Sequence, residues 1–253
     1  MAKNFLESIG LLPKANENFD LLDTRVHELD KSEGWVFNGG MKLDGSTGIA
    51  SWWLYSDSSG AIMGNAGIAG GGSIDIYSLR PSRSVMAYVK GITPGLAEVN
   101  VIQRGDQASE LPSTFIARVD DPVFYTEGLQ PFPEYYLGGI ADYIEVYKSE
   151  EERAEALGEP IEEDNIFTPW FNDVLANPEA AGAPNARALL KARCLEVNLV
   201  TNKMTGKKFY KVEVEVPFPL TLALPADTKP KPKPGNILDG DLVLTGSTGR
   251  WYK

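Results

Sequence analysis

A chain of 253 residues with 43% hydrophobic and 23% charged side chains can bury a sizeable core, which excludes disorder over its whole length. A single cysteine, Cys194, excludes an intrachain disulfide, a zinc cluster and a CxxC redox pair, and no run approaches the roughly 18 apolar residues of a membrane span. The net charge of −11 is unevenly spread: residues 1–180 hold 12 Lys and Arg against 29 Asp and Glu, a charge of −17, whereas residues 181–253 hold 12 against 6, a charge of +6.

A charge reversal of this kind predicts separate modules with separate partners. The 25 glycines and 17 prolines suit a turn-rich β protein. Residues 1–13 place Glu7 where a secretory signal needs an apolar stretch, so the expected location is the cytoplasm, or a particle assembled from it.

In chain order, Phe19, Leu22, Val26 and Leu29 recur at helical spacing and predict a helix over 16–30, capped by Asn18 or Asp20. His27, the only histidine, lies beside Glu28 and opposite the apolar stripe, where it reads as solvated. Short β-like runs then follow at 49–55, 73–79, 84–90, 97–103, 114–119, 123–126 and 143–147, predicting a sandwich or barrel-like domain. The glycine-rich stretch 60–72 has neither a GxGxxG register nor a Gly-Lys-Ser/Thr ending, so it reads as a loop or a close strand approach rather than a phosphate cradle.

Asp120, Asp121, Glu127 and Glu134 lie near Phe132, Tyr135 and Tyr136, and two carboxylates are the minimum for glycoside hydrolysis. With 35 acidic residues in the chain, however, such pairs arise by chance. A sugar-binding sandwich using Trp52, Trp53, Tyr135 and Tyr136 is the non-catalytic form of the same reading.

Ser149 with Glu152 forms a capping box that predicts a short helix through Leu157, which Gly158 would close. Acidic residues continue to Asp164, an apolar anchor follows at 167–171, and the composition of 177–185 is that of a linker. These signals divide the chain into an acidic β-rich domain (1–148), an acidic connector (149–182) and a basic domain (183–253).

The last segment predicts strands over 189–200, 209–216 and 218–224, and a final one before Gly246. Tyr210, Val212, Val214 and Val216 are placed inward and Lys211, Glu213 and Glu215 outward. Lys229, Lys231 and Lys233 alternate with Pro230, Pro232 and Pro234, an extended polyproline-like arm. The turn at Thr201–Gly206 before a Phe-Tyr strand, and Pro234–Gly240 before Leu-Val-Leu-Thr-Gly246, resemble OB-like small β-barrel segments of uncharacterised bacterial proteins. The resemblance covers about a quarter of the chain and implies a small C-terminal OB-like barrel beside the β-sandwich or barrel-like domain.

OB-like barrels hold single strands of nucleic acid with a basic groove and stacked aromatics. The corresponding candidates are Lys203, Lys207, Lys208, Lys211, Lys229, Lys231, Lys233 and Arg250, with Trp251 and Tyr252 as stacking rings beside Phe209 and Tyr210. Since residues 1–180 repel phosphates, the sequence favours a non-enzymatic binding or assembly protein. Its basic end would meet a polyanion or an acidic protein surface, its own N-terminal domain or another copy included, as in a phage structural subunit. Single-stranded nucleic acid is the alternative partner. No cofactor, metal or membrane is expected.

Overall fold

The computed structural model describes residues 4–25, 34–39, 49–102, 113–125, 128–161 and 163–251. His27, Glu127 and Tyr252 lie outside the described residues. Two helices come first, α1 (Phe5–Ser8) and α2 (Ala15–Arg25). Asn18 sits inside α2, where its side chain binds the backbone of Leu12 and Lys14 and so holds the α1–α2 turn instead of capping the helix. Strands β1 (Gly34–Gly39), β2 (Ile49–Asp57), β3 (Ala61–Ile68) and β4 (Ser73–Leu79) then pair antiparallel, in that order, as a four-stranded sheet. The glycine-rich stretch thus supplies a strand: a Cβ at Gly64 would collide with the Trp53 carbonyl and Leu54, so glycine is what lets β3 lie against β2.

The rest of the chain forms a nine-stranded sheet. Its strands are β5 (Val85–Thr93), β6 (Leu96–Ile102), β7 (Ser113–Val119), β8 (Gln130–Tyr147), β9 (Asn165–Phe167), β10 (Arg187–Thr201), β11 (Lys208–Glu215), β12 (Pro219–Pro225) and β13 (Ile237–Ser247). A 3₁₀ turn (Pro122–Phe124) occupies the place of the strand expected at 123–126, because Pro122 cannot donate to a ladder. Helices α3 (Glu150–Leu157) and α4 (Pro169–Ala176) lie in the connector. The expected cap forms at α3: Ser149 accepts from the Glu152 amide, the Glu152 carboxylate accepts from the Lys148 amide one residue before the position a reciprocal box would use, and Gly158 closes the helix in the left-handed conformation.

The nine-stranded sheet closes on itself twice. Strands β5, β6, β7, β13 and β8 pair in a ring, and β10, β11, β12, β8 and β13 pair in a second ring that shares β8 and β13 with the first. A five-membered ring cannot alternate direction throughout, so each must contain a parallel neighbour pair. These are β7 with β13 in the first ring and β12 with β8 in the second; every other pair is antiparallel. Side chains fill the interior as in other small barrels, and one continuous apolar core runs from Val89, Val99 and Phe115 in the first ring to Leu190, Val212, Leu222 and Leu242 in the second. At the junction, a Cβ on Gly139 would strike Leu222 and Leu242, so glycine permits β8 to cross from one ring to the other.

The boundary expected near residue 182 is therefore corrected. Strand β13, inside the supposed C-terminal domain, pairs along its whole length with β8, inside the supposed N-terminal one. Opposite charges mark surfaces here, and the hydrophobic core beneath them is shared. The four-stranded sheet is covered on both faces. Tyr55, Met63, Tyr77 and Leu79 pack with the two N-terminal helices and with Phe209, Ile140 and Ala223, while Trp52, Leu54, Ile62 and Ile76 pack with Phe124 and Trp251. This second layer explains why Glu213, expected outward, is buried: it accepts from Thr221 and Ser82 beneath the segment joining β4 to β5. No helix among the described residues is long and apolar enough to cross a membrane.

Candidate functional site

The hairpin between β10 and β11 is a fixed platform. The Asn202 side chain accepts from the amides of Met204 and Thr205 and donates to the Ile9 carbonyl; Thr205 Oγ1 donates to the Gly10 carbonyl; and the Lys203 amide donates to Asp57 Oδ2 over 2.8 Å. Met204 is buried, and Lys203, Lys207 and Lys208 are left pointing to solvent. The loop between β12 and β13 is also tied down. Pro232 is buried, the Lys233 amide donates to Asn236 Oδ1, and Gly235 and Asn236 exchange backbone bonds with Cys194. Lys229, Lys231 and Lys233 are exposed on it.

Both loops leave the second ring at one end, since Phe209 at the start of β11 pairs with Pro225 at the end of β12. None of these six lysines makes an ion pair with a described residue. By contrast, Lys148, Arg153, Arg187, Lys191 and Arg193 each meet a carboxylate of Glu152, Asp239, Asp241 or Glu150.

The other candidates are not part of this end. Lys211 is half-buried on the outer face of β11, beside Arg80 and near Gly60, and burial lowers its pKa. Arg250 lies beyond the far end of β13, its guanidinium 5.3 Å from the Phe124 ring centre and 5.8 Å from that of Phe132. Trp251 is 3% exposed and belongs to the core against Trp52, so it cannot stack on a ligand. Phe209 and Tyr210 are buried as well, because aromatic side chains at these strand starts fill the space between layers. Six of the seven lysines expected from the sequence are at the surface; Phe209, Tyr210 and Trp251, expected beside them, are not.

Two of the carboxylates considered for sugar chemistry serve the fold, and a third, Glu134, is exposed. Asp120 and Asp121 are both fully buried. Asp121 accepts from the Thr248 amide and hydroxyl at 2.6 Å each, from Ser247 Oγ, and from the Tyr125 hydroxyl at 2.7 Å. Asp120 accepts from the indole of Trp251 through its side chain and from the indole of Trp52 through its carbonyl. Burial, and then the neighbouring Asp121, push the Asp120 carboxyl well above the ordinary range; burial also raises Asp121, against its hydroxyl and amide donors. Tyr135 and Trp52, offered as sugar platforms, are buried too. The pair closes the chain end onto the first ring and faces no solvent.

Cys194 is buried, and burial pushes its thiol up to about 12. Among the described residues, no group of three His, Cys, Asp or Glu side chains could hold a metal ion. The structure also contains a cleft of about 560 Å³ lined by Tyr77, Arg118 and Asn185, residues too far apart in the chain for any spacing rule to join them. No protein-family model, curated protein or solved structure matches this chain.

Proposed function

We propose that this is a non-enzymatic binding or assembly protein whose lysine-bearing end, formed by the β10–β11 hairpin and the β12–β13 loop, engages an acidic protein surface. The observation that carries the reading is the set of six lysines, none ion-paired with a described residue, on two loops held at one end of a ring, whereas Arg153, Arg187 and Lys191 meet carboxylates. Ammonium groups on anchored loops lose little backbone entropy on binding, so their attraction to an anionic surface is not offset by ordering of the loops. With a net charge of −11 the rest of the surface repels polyanions, which confines the attraction to this end.

A second copy offers such an acidic surface, since Glu151, Glu155 and Glu163 are exposed in the connector, and a contact of that head-to-tail kind builds rings or filaments. Support for an OB-like second ring comes from its five strands, its closure and its parallel pair. Single-stranded nucleic acid is the second reading, disfavoured by the burial of Phe209, Tyr210 and Trp251.

The test is light scattering on the intact protein alone, with poly-glutamate, and with oligothymidylate at low salt. A heavier species formed alone or with poly-glutamate, and abolished when Lys203, Lys207, Lys208, Lys229, Lys231 and Lys233 are all changed to Gln, is the expected outcome. A heavier species with oligothymidylate only selects nucleic acid, and no change under any condition overturns both.

A further inference from the structure

We propose that the cleft between β4, β7 and the start of β10 binds a small organic oxyanion, an apolar body ending in a carboxylate or phosphate. The cleft encloses about 560 Å³, within the roughly 300–1,000 Å³ of small-molecule sites. Ile74 and Ile76 form one wall from the four-stranded sheet, and Leu96 and Val243 supply apolar surface from the nine-stranded one.

Of the polar side chains that line the cleft, Arg118, Tyr77 and Asn185 hold unused donors among the described residues, and Asp75 brings a carboxylate. On β7, Phe115, Ala117 and Val119 turn into the core, which turns Arg118 out of the first ring and into the cleft lining. One guanidinium N–H of Arg118 donates to the Asp75 carbonyl at 3.1 Å, and the group lies 6.0 Å from the Phe5 ring centre; its other N–H groups have no acceptor among the described residues. The Asp75 carboxylate nearby is exposed and accepts from the Asn65 amide instead. Burial disfavours the charged guanidinium and lowers its pKa, against the opposing effects of Tyr77 and Asp75, a cost that a bound anion would reduce.

Tyr77 is 5% exposed and its hydroxyl has no hydrogen-bond partner, an omission rare enough in buried groups to require a reason. Asn185 is oriented by its own acceptance, through Oδ1, from the Arg187 amide, which leaves its side-chain N–H groups unclaimed. Arg187 also lines the cleft, but its Nε is committed to Asp241. A guanidinium, a phenol and an amide left as unused donors beside apolar walls are complementary to an acceptor-rich, negatively charged head on an apolar body. A neutral acceptor would satisfy them more weakly, because its bond to the guanidinium is not assisted by opposite charge.

The test uses the intact protein with sodium hexanoate, hexyl phosphate and the neutral 1-hexanol, read by calorimetry and by amide shifts. One or both anions are expected to bind at least about tenfold tighter than hexanol, with shifts centred on residues 74–77, 96 and 243. The preferred anion identifies the head group. Arg118→Gln should lower anion affinity by about tenfold and leave hexanol unchanged, and Tyr77→Phe, which keeps the ring and the fold, should lower it by about threefold. Changing the six loop lysines to Gln should leave these affinities intact, which separates this site from the lysine-bearing end. Equal affinity for hexanoate, hexyl phosphate and hexanol, absence of saturable binding up to about 10 mM, or shifts centred elsewhere would overturn the proposal. Should Arg118→Gln fail to fold, Tyr77→Phe and the anion-to-alcohol ratio of the unaltered protein still decide.

Discussion

The indole nitrogen of Trp251 donates to Oδ1 of Asp120 across 3.1 Å, with both side chains shut away from solvent. The carbonyl of the same aspartate accepts from Trp52, whose ring centre lies 6.4 Å from that of Trp251. The chain end is thus pinned to the end of β7 and to the four-stranded sheet together. Trp251→Ala should cost about 3–5 kcal/mol of stability through the cavity it leaves and the polar group it orphans. Urea unfolding measures this directly, and partner affinity per folded molecule should not change.

The buried pair Asp120 and Asp121 sets a pH dependence of known sign. Both carboxyls are raised in the folded state, so the native protein holds a proton that the unfolded chain releases near pH 3.9. Their contribution is therefore fully present below the unfolded value and is lost as pH rises toward the folded one. Asp120→Asn keeps an oxygen for Trp251 and removes this loss, so stability against pH should be flatter above pH 4 than in the unaltered protein. Asp121→Asn replaces an acceptor of several donors with an amide that satisfies fewer, and should cost about 2–3 kcal/mol at neutral pH. Thermal melts of both variants from about pH 4 to pH 8 distinguish these outcomes.

Residues 183–253 should not fold alone. They contain β10, β11, β12 and β13, but the second ring closes only through β8, which pairs with β12 on one side and β13 on the other. Without it Leu222, Leu238, Leu242 and Leu244 lose the strand that covers them. Circular dichroism of the excised fragment should lack a cooperative thermal transition, and a cooperative one would restore the separate domain.

Much of the strand inventory is legible in the sequence; β5 and β6 carry the period-two alternation of half-buried strands. Strand β8 is not. Pro131, Pro133 and the Gly138-Gly139 pair mask its first two thirds, and the glycines are explained only by distant neighbours, Thr245 at Gly138 and Leu222 at Gly139. In β10 the bulge between Cys194 and Glu196 breaks the alternation. Ala188, Leu190, Ala192 and Cys194 face the core before it and Val197 after it, whereas Leu195 and Leu199 are exposed.

The lysines of the candidate site were readable because exposed loop cations are local features. The fate of Trp251 was not, since it depends on Asp120, far away in the chain. The same holds for the pairing of β8 with β13: ring closure is a contact between distant segments that local pattern does not encode.

Cys194 should report on the opening of the second ring. Its amide donates to the Asn236 carbonyl, its carbonyl accepts from Gly235, and its thiol is buried with its pKa pushed up to about 12. An aromatic disulfide reagent at pH 8 should therefore label the folded protein no faster than it unfolds, and label it fully in urea. Rapid labelling without denaturant would show that the β12–β13 loop does not seal this end.

The central claim is that the six loop lysines form the binding end. The most direct test is the association constant of the intact protein with poly-glutamate and with oligothymidylate as salt is raised from about 50 to 200 mM, compared with the variant carrying Gln at all six positions. Log affinity should fall linearly with log salt for the partner that is bound, with a slope of up to about −4 if all six lysines neutralise phosphates on a single strand. The six-Gln variant should show little affinity and a nearly flat dependence. An unchanged affinity and slope in that variant would contradict the account, because the anion would then be bound elsewhere on the protein.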